Sequence, residues 1–430
     1  MSSGRAVAVA VTVVVVAAAR MVQCAASPLP VRVSPDAPQQ ERLKAAHDLL
    51  ASSPLIDGHN DLAWNIRKFL HNKLHSFNLS SDLSKEKPWR NSAFSHTDLP
   101  RLRKGQVAAQ VSSGFVPCVC VFLSILCFKL YSVSKLPRLL ILPCHFKQTT
   151  HTFFLSSRCL PEILQEFRRG RVASLMGVEG GHGLASSMGV VRALYDLGVR
   201  YVTLTHKCHT PWAECSEQDS PPPNARGLTP YGKELVREMN RLGLMVDLSH
   251  ASARTARDVL ATSRAPVIFS HSAARALCSI DRNVPDDVLS SLAANGGIVM
   301  ISFYNDFLTC TDKATVKDVV AHINHIRSMA GVDHVGLGAG YDGINRTPTG
   351  LEDASRYPKL FAELLKDNTW SLQDLKKLAG LNFLRVFTHV EQVREELSSE
   401  RPSEEIIPIH DIDSRWPCRY KFASLDDART

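Results

Sequence analysis

The 430-residue chain has no block of like charge. Its 50 Lys and Arg and 42 Asp and Glu are interspersed, and the surplus of +8 is modest for this length. A nucleic-acid surface needs basic residues gathered on one face, so it is not implied. No phosphate-binding glycine fingerprint stands at a strand-to-helix turn, and Gly-x-Ser-x-Gly is missing, which counts against a nucleotide fold and a serine nucleophile. No hydrophobic tail follows Cys418, so the attachment signal of a lipid anchor is absent from this chain. With 44% hydrophobic and 21% charged residues, the composition also excludes a wholly disordered, collagen-like or coiled-coil protein.

The apolar run from Ala6 to Ala19 follows Arg5 and is shorter than the ~20 residues of a membrane span. Small residues Cys24 to Ser27 come next, and residues 1–26 read as a secretory signal peptide. Eleven cysteines suit an oxidising compartment. Cys24 belongs to the leader, and Cys118, Cys120, Cys127, Cys144 and Cys159 crowd one segment. Of the remaining Cys208, Cys215, Cys278, Cys310 and Cys418, the odd number permits a bridge between chains, for which Cys418 is the candidate. Asn78 and Asn345 head glycosylation sequons. Secretion to the extracellular space or cell surface is the expected localisation.

Short apolar runs ending in a polar residue alternate with helix-like stretches. They occupy residues 54–61, 172–179, 201–206, 244–250, 266–271, 297–303 and 334–338. Near-continuous apolar strands of this kind indicate a parallel sheet covered on both faces. Thr229-Pro230 opens a helix that Gly243 ends, and Pro285 opens another. Seven runs, with an eighth around Val107 to Gln110, predict an α/β fold, a (β/α)8 barrel spanning residues 40–395 whose active site lies past the strand C-termini. An open doubly wound sheet is the alternative. Residues 111–158 break the pattern, being cysteine-rich and without period, and read as an anomalous insert. Residues 396–430 form a polar tail.

Imidazole is the commonest transition-metal ligand, and the chain has 17 histidines. Five strand-terminal residues can converge at one mouth of the barrel: His59, Asp61, Glu179, His250 and His271. In His59-Asn60-Asp61 the alternate residues of a strand point the same way, so imidazole and carboxylate can grip one ion. Three carboxylate or imidazole ligands with an open position is the catalytic zinc pattern, and a glutamate can bridge two ions. His59 and Asp61 are accordingly assigned to one zinc, His250 and His271 to a second, and Glu179 between them.

Asp57-Gly58-His59-Asn60-Asp61, Gly177-Val178-Glu179-Gly180-Gly181-His182, Thr205-His206 with Thr210-Pro211-Trp212, Asp247-Leu248-Ser249-His250, Ser270-His271-Ser272 and Arg282-Asn283-Val284-Pro285-Asp286-Asp287 closely resemble the membrane dipeptidases, the renal dipeptidase family. The likeness runs over about residues 46–110 and 160–387. It implies a (β/α)8 barrel with two zinc ions per chain that hydrolyses dipeptides, including cysteinylglycine and the cysteinylglycine bond of leukotriene D4, with some members opening β-lactams. It implies glycosylated, disulfide-linked homodimers held on membranes by a lipid anchor. The same five metal ligands carry over by motif. The resemblance makes His206 and Arg282 substrate contacts: an imidazole can donate to the scissile carbonyl oxygen, and a guanidinium suits a terminal carboxylate. Cys278 and Cys310 match an intrachain bridge. Cys208 should pair within the replaced region, near Cys118, with Cys215 as substitute. His182 reads as support for the ligand shell.

The implied mechanism is attack by a metal-bridging hydroxide on the peptide carbonyl, with Glu179 and His206 in catalytic roles. The family's proton donor is the first aspartate of Gly-Gly-Asp-aromatic-Asp-Gly. Here the stretch reads Gly338-Ala339-Gly340-Tyr341-Asp342-Gly343, so glycine stands in that place and Asp342 is the surviving candidate. A catalytically impaired zinc barrel that binds peptides or a surface partner is the second reading. A related amidohydrolase acting on cyclic amides is a third, opposed by Arg282.

Overall fold

The computed structural model describes residues 33–115, 154–156, 159–217 and 227–412. Nine strands lie in one wholly parallel sheet: β1 (Leu55–Asn60), β2 (Val107–Phe115), β3 (Phe154–Ser156), β4 (Val172–Glu179), β5 (Val199–Thr203), β6 (Met245–Asp247), β7 (Ile268–Ser272), β8 (Ile298–Ile301) and β9 (Val335–Leu337). Eight of them close into a barrel in the order β1-β2-β4-β5-β6-β7-β8-β9, with β9 pairing back on β1. The short β3 pairs with the first residues of β4, outside that circuit. Closure rules out the open doubly wound sheet.

The strands are apolar runs because both faces are covered. Every residue of β1, β4, β5, β6, β7, β8 and β9 is buried. Helices take the expected boundaries. Thr229 caps Pro230–Leu242 by accepting from the Gly232 amide, and Gly243 ends it at φ +75°. Pro285 precedes Asp286–Asn295. At the barrel floor, Phe383 and Phe387 of helix Asn382–Glu396 share a buried apolar cluster with Ile56, Leu175, Met245 and Ile298. The barrel is thereby filled below, leaving chemistry to the upper rim.

Two boundaries differ from expectation. The second strand does not stop at Gln110: Val111 to Phe115 continue it, in register with Leu175 to Glu179 of β4. Ser112, Ser113 and Gly114 hide the strand from a hydrophobicity reading, yet all three are buried. The anomalous segment therefore begins later than residue 111, and β3 and Cys159 mark its far side. The segment's centre lies outside the described residues, as do the leader, Cys118 and Cys418. The first part of the polar tail is docked: Leu397 is buried, the Ser403 amide donates to Glu238 Oε2, and Arg192 donates to the Ser403 carbonyl. Among the described residues no helix is long and apolar enough to cross a membrane.

Candidate metal centre and active site

The five candidate ligands meet at the strand C-termini. His59 and Asp61 come from the end of β1, Glu179 from the end of β4, His250 from the turn after β6, and His271 from β7. His59 Nε2 lies 3.2 Å from Asp61 Oδ2 and 3.6 Å from Glu179 Oε2. The other oxygen, Glu179 Oε1, lies 3.2 Å from His250 Nε2 and 3.3 Å from His271 Nε2. One carboxylate thus faces His59 through one oxygen and both His250 and His271 through the other. His59 and His271 also stack, with ring centroids 3.7 Å apart.

Each imidazole that points Nε2 inward has a partner on Nδ1. His59 Nδ1 is 3.0 Å from the Tyr201 hydroxyl, His250 Nδ1 is 2.8 Å from Glu217 Oε1, and His271 Nδ1 is 2.9 Å from Ser270 Oγ. Such contacts fix ring orientation and tautomer in metal sites. Asp247, fully buried, accepts from the Ser249 and Ser270 amides and from the Thr203 and Ser270 hydroxyls, which ties β5, β6 and β7 together beneath the histidines. Sequence reasoning missed Tyr201 and Glu217. Tyr201 reads as an ordinary core aromatic within an apolar strand, and Glu217 carries no local signal.

Burial, with Arg282 and the neighbouring imidazoles adding to it, holds His250 and His271 well below the ordinary imidazole range. They are neutral, the form that ligates. Burial opposes a charge on His59, but Glu179 and Asp61 overcome it and push the group up to about 9. Burial raises Glu179 to about 8. His59 and Glu179 therefore share protons that a cation would displace. Buried anionic and imidazole donors converging without a lysine among them fit a divalent cation by their chemistry.

His206 is half-buried, its ring centroid 4.3 Å from that of His250, and burial holds it neutral, down to about 3. With Glu179 and His250 it also forms a second group able to hold an ion, beside His59, Glu179 and His271. Arg282 is buried: Nη1 donates to Ser272 Oγ and Nη2 to the His271 carbonyl, both at 2.8 Å, and the guanidinium lies over Phe307. His182 is buried, with Nε2 3.4 Å from Cys208 Sγ.

Asp342, the surviving candidate for the proton donor, is fully buried. Its Oδ1 accepts from the His96 amide at 3.0 Å, Oδ2 lies 3.5 Å from Asn60 Nδ2, and its own amide donates to His96 Nδ1. The carboxylate, pushed up to about 6 by burial, anchors the 96–97 loop to the end of β9. Cys278 and Cys310 form a disulfide. Cys208 is disulfide-bonded, and Cys215 is not its partner. Asn78 and Asn345 are both exposed.

A closed parallel barrel with imidazoles and carboxylates converging at its C-terminal mouth defines a metallohydrolase of the (β/α)8 class. Residues 43–401 match the membrane dipeptidases, peptidase family M19, and the chain belongs to that family. It is a hydrolase acting on peptide bonds. It is 43% identical to Dipeptidase 3 of Macaca fascicularis over 365 residues, 84% of this chain and 70% of that protein. With Dipeptidase 3 of Rattus norvegicus it shares 41% over 362 residues, again 84% and 70%. The crystal structure of a dipeptidase of the same peptidase family superposes with a TM-score of 0.67 at 25% identity, over 79% of this chain and 98% of that one.

Proposed function

We propose that the protein is a zinc-dependent dipeptidase that binds two ions and cleaves dipeptides such as cysteinylglycine, with leukotriene D4 and β-lactams as further substrates. The observation that carries this reading is the split of Glu179, one oxygen toward His59 and the other toward His250 and His271, beside a buried Arg282. His59 and Asp61 would hold one ion, His250 and His271 the second, and Glu179 would serve both. Bound zinc supplies Lewis acidity and a water acidified toward neutrality. Arg282 receives the substrate carboxylate, and its anchorage to Ser272 and the His271 backbone fixes the scissile bond relative to the ligand histidines. His206 donates to the carbonyl oxygen as charge develops there. Exposed sequons at Asn78 and Asn345, and a leader at residues 1–26, support a glycosylated, secreted protein. A homodimer linked through Cys418 is part of the same proposal.

Zinc analysis of carefully prepared protein, joined to cysteinylglycine hydrolysis, is the test. About two zinc ions per chain and turnover are expected, with His250→Ala losing one ion preferentially. One ion or none after reconstitution removes the binuclear mechanism. Gly340, together with the anchoring of Asp342, favours a second reading, a zinc barrel that binds peptides without turnover. Two ions with no hydrolysis of any dipeptide would establish it.

A further inference from the structure

We infer that Glu217 is a positioning residue that joins the metal centre to the substrate-carboxylate site and sets how strongly that site holds its anion; the inference rests on the dipeptidase reading. Its Oε1 lies 2.8 Å from His250 Nδ1 and, on its other side, 3.3 Å from Arg282 Nε. Among the described residues, no other carboxylate is ion-paired with both a candidate ligand and the candidate anion receptor.

The loop that carries Glu217 is built to hold it there. The Ser216 amide and hydroxyl both donate to the His250 carbonyl, at 2.8 and 3.1 Å, and Thr205 Oγ1 donates to the same oxygen at 3.0 Å. Cys215 bridges to Ala251 in antiparallel fashion. These bonds clamp His250 in a left-handed conformation, φ +66°, that a histidine adopts only when its surroundings over-determine it. Glu217 adds the last constraint, on the ring. A carboxylate on Nδ1 keeps the proton on that nitrogen, so that Nε2 offers its lone pair.

Toward Arg282 the same oxygen has a second effect. Two nitrogens of the guanidinium are committed to Ser272 and His271, and the third faces an anion already. A substrate carboxylate arriving at this guanidinium meets Glu217 as a like charge at short range in a buried setting, where repulsion is poorly screened. Glu217 therefore weakens carboxylate capture while it strengthens metal capture, which makes it a specificity determinant for free against blocked C-termini.

The experiment uses full-length zinc-loaded protein with Glu217→Gln and Glu217→Ala. Zinc affinity is read by competition with a chromophoric chelator, and binding and turnover with cysteinylglycine and its C-terminal amide. Glu217→Ala is expected to lose roughly 10–100-fold in zinc affinity. Glu217→Gln, which keeps an oxygen acceptor for Nδ1, stays within a few-fold. Both variants should bind cysteinylglycine roughly tenfold tighter, visible in KM or in calorimetric Kd, and the amide no differently. Unchanged zinc affinity in Glu217→Ala overturns the metal arm. An equal shift for acid and amide, or none for the acid, overturns the carboxylate arm. Because zinc affinity and calorimetric binding are read without turnover, both arms are decided even if the parent protein is catalytically silent.

Discussion

Gly340 stands where the family resemblance expects the proton donor, and the proposed chemistry makes its rate consequence testable. It adopts φ +73°, a region costly to most L-residues but visited several-fold more by Asp and Asn. A Cβ built there meets only Ile344 Cγ2 at 3.7 Å and Ser302 Oγ at 3.8 Å, ordinary contacts, so a Cβ is accommodated at a backbone cost of roughly 1–2 kcal/mol. Gly340→Asp is expected to raise dipeptide turnover by up to ~10²–10⁴, the range of general acid assistance, with little change in substrate affinity. Steady-state kinetics on zinc-loaded protein decide it; a variant that folds, binds zinc and gains nothing rejects position 340 as the missing proton donor. Asp342→Asn should scarcely alter turnover, since its carboxylate anchors a loop. The protons held by His59, up to about 9, and by Glu179, up to about 8, give a pH dependence. Below those values the groups are protonated in the metal-free protein and a cation must displace the protons, so affinity falls as pH falls. Zinc affinity should climb from pH 6 to about 9 with measurable proton release. A flat profile would show that these two groups do not ligate.

At the scale of elements, the end of β9 shows how closely the strands are fitted. A Cβ at Gly338 would lie 1.8 Å from the Ser270 carbonyl oxygen, a backbone atom of β7 that cannot give way cheaply. Gly338→Ala is expected to cost about 1–3 kcal/mol, the range of overpacked cores, and to disturb His271 next to Ser270. Urea unfolding of the metal-free proteins measures it; an unchanged midpoint would mean that β7 and β9 can part locally at no cost. The same elements explain what the sequence discloses. The barrel strands are legible because covered parallel strands are continuous apolar runs, and the five candidate ligands because each closes such a run. The end of β2 is illegible because Ser112, Ser113 and Gly114 are buried by their position against β4 and not by their own hydrophobicity. Tyr201 is legible as core but not as the partner of His59, since that pairing depends on barrel closure between residues 142 apart. Glu217 reaches its place only because a loop folds back on the His250 carbonyl.

Across the whole molecule, the candidate ligands come from β1, β4, β7 and the turn after β6, strands of which β6 and β7 are neighbours while β1 and β4 lie apart from them on the barrel circuit. Ions held by them would brace the barrel across its mouth. In the metal-free state the same rim gathers buried carboxylates and imidazoles whose charges are balanced by shared protons and by Arg282, an arrangement that is costly to bury. Anything that binds the folded chain and not the unfolded one stabilises it by mass action, about 2.7 kcal/mol when the free ligand stands at 100 times its Kd. For a domain of this size that is a rise of several degrees in Tm. Scanning calorimetry with saturating zinc and with excess chelator should show this difference. His271→Ala should shrink it, because removing that side chain leaves Glu179 Oε1 with one imidazole partner where it had two. Equal Tm values with zinc and with chelator, in protein freed of metal beforehand, would show that the folded barrel holds no ions. The proposed function would then fall at its first step, before any assay of hydrolysis.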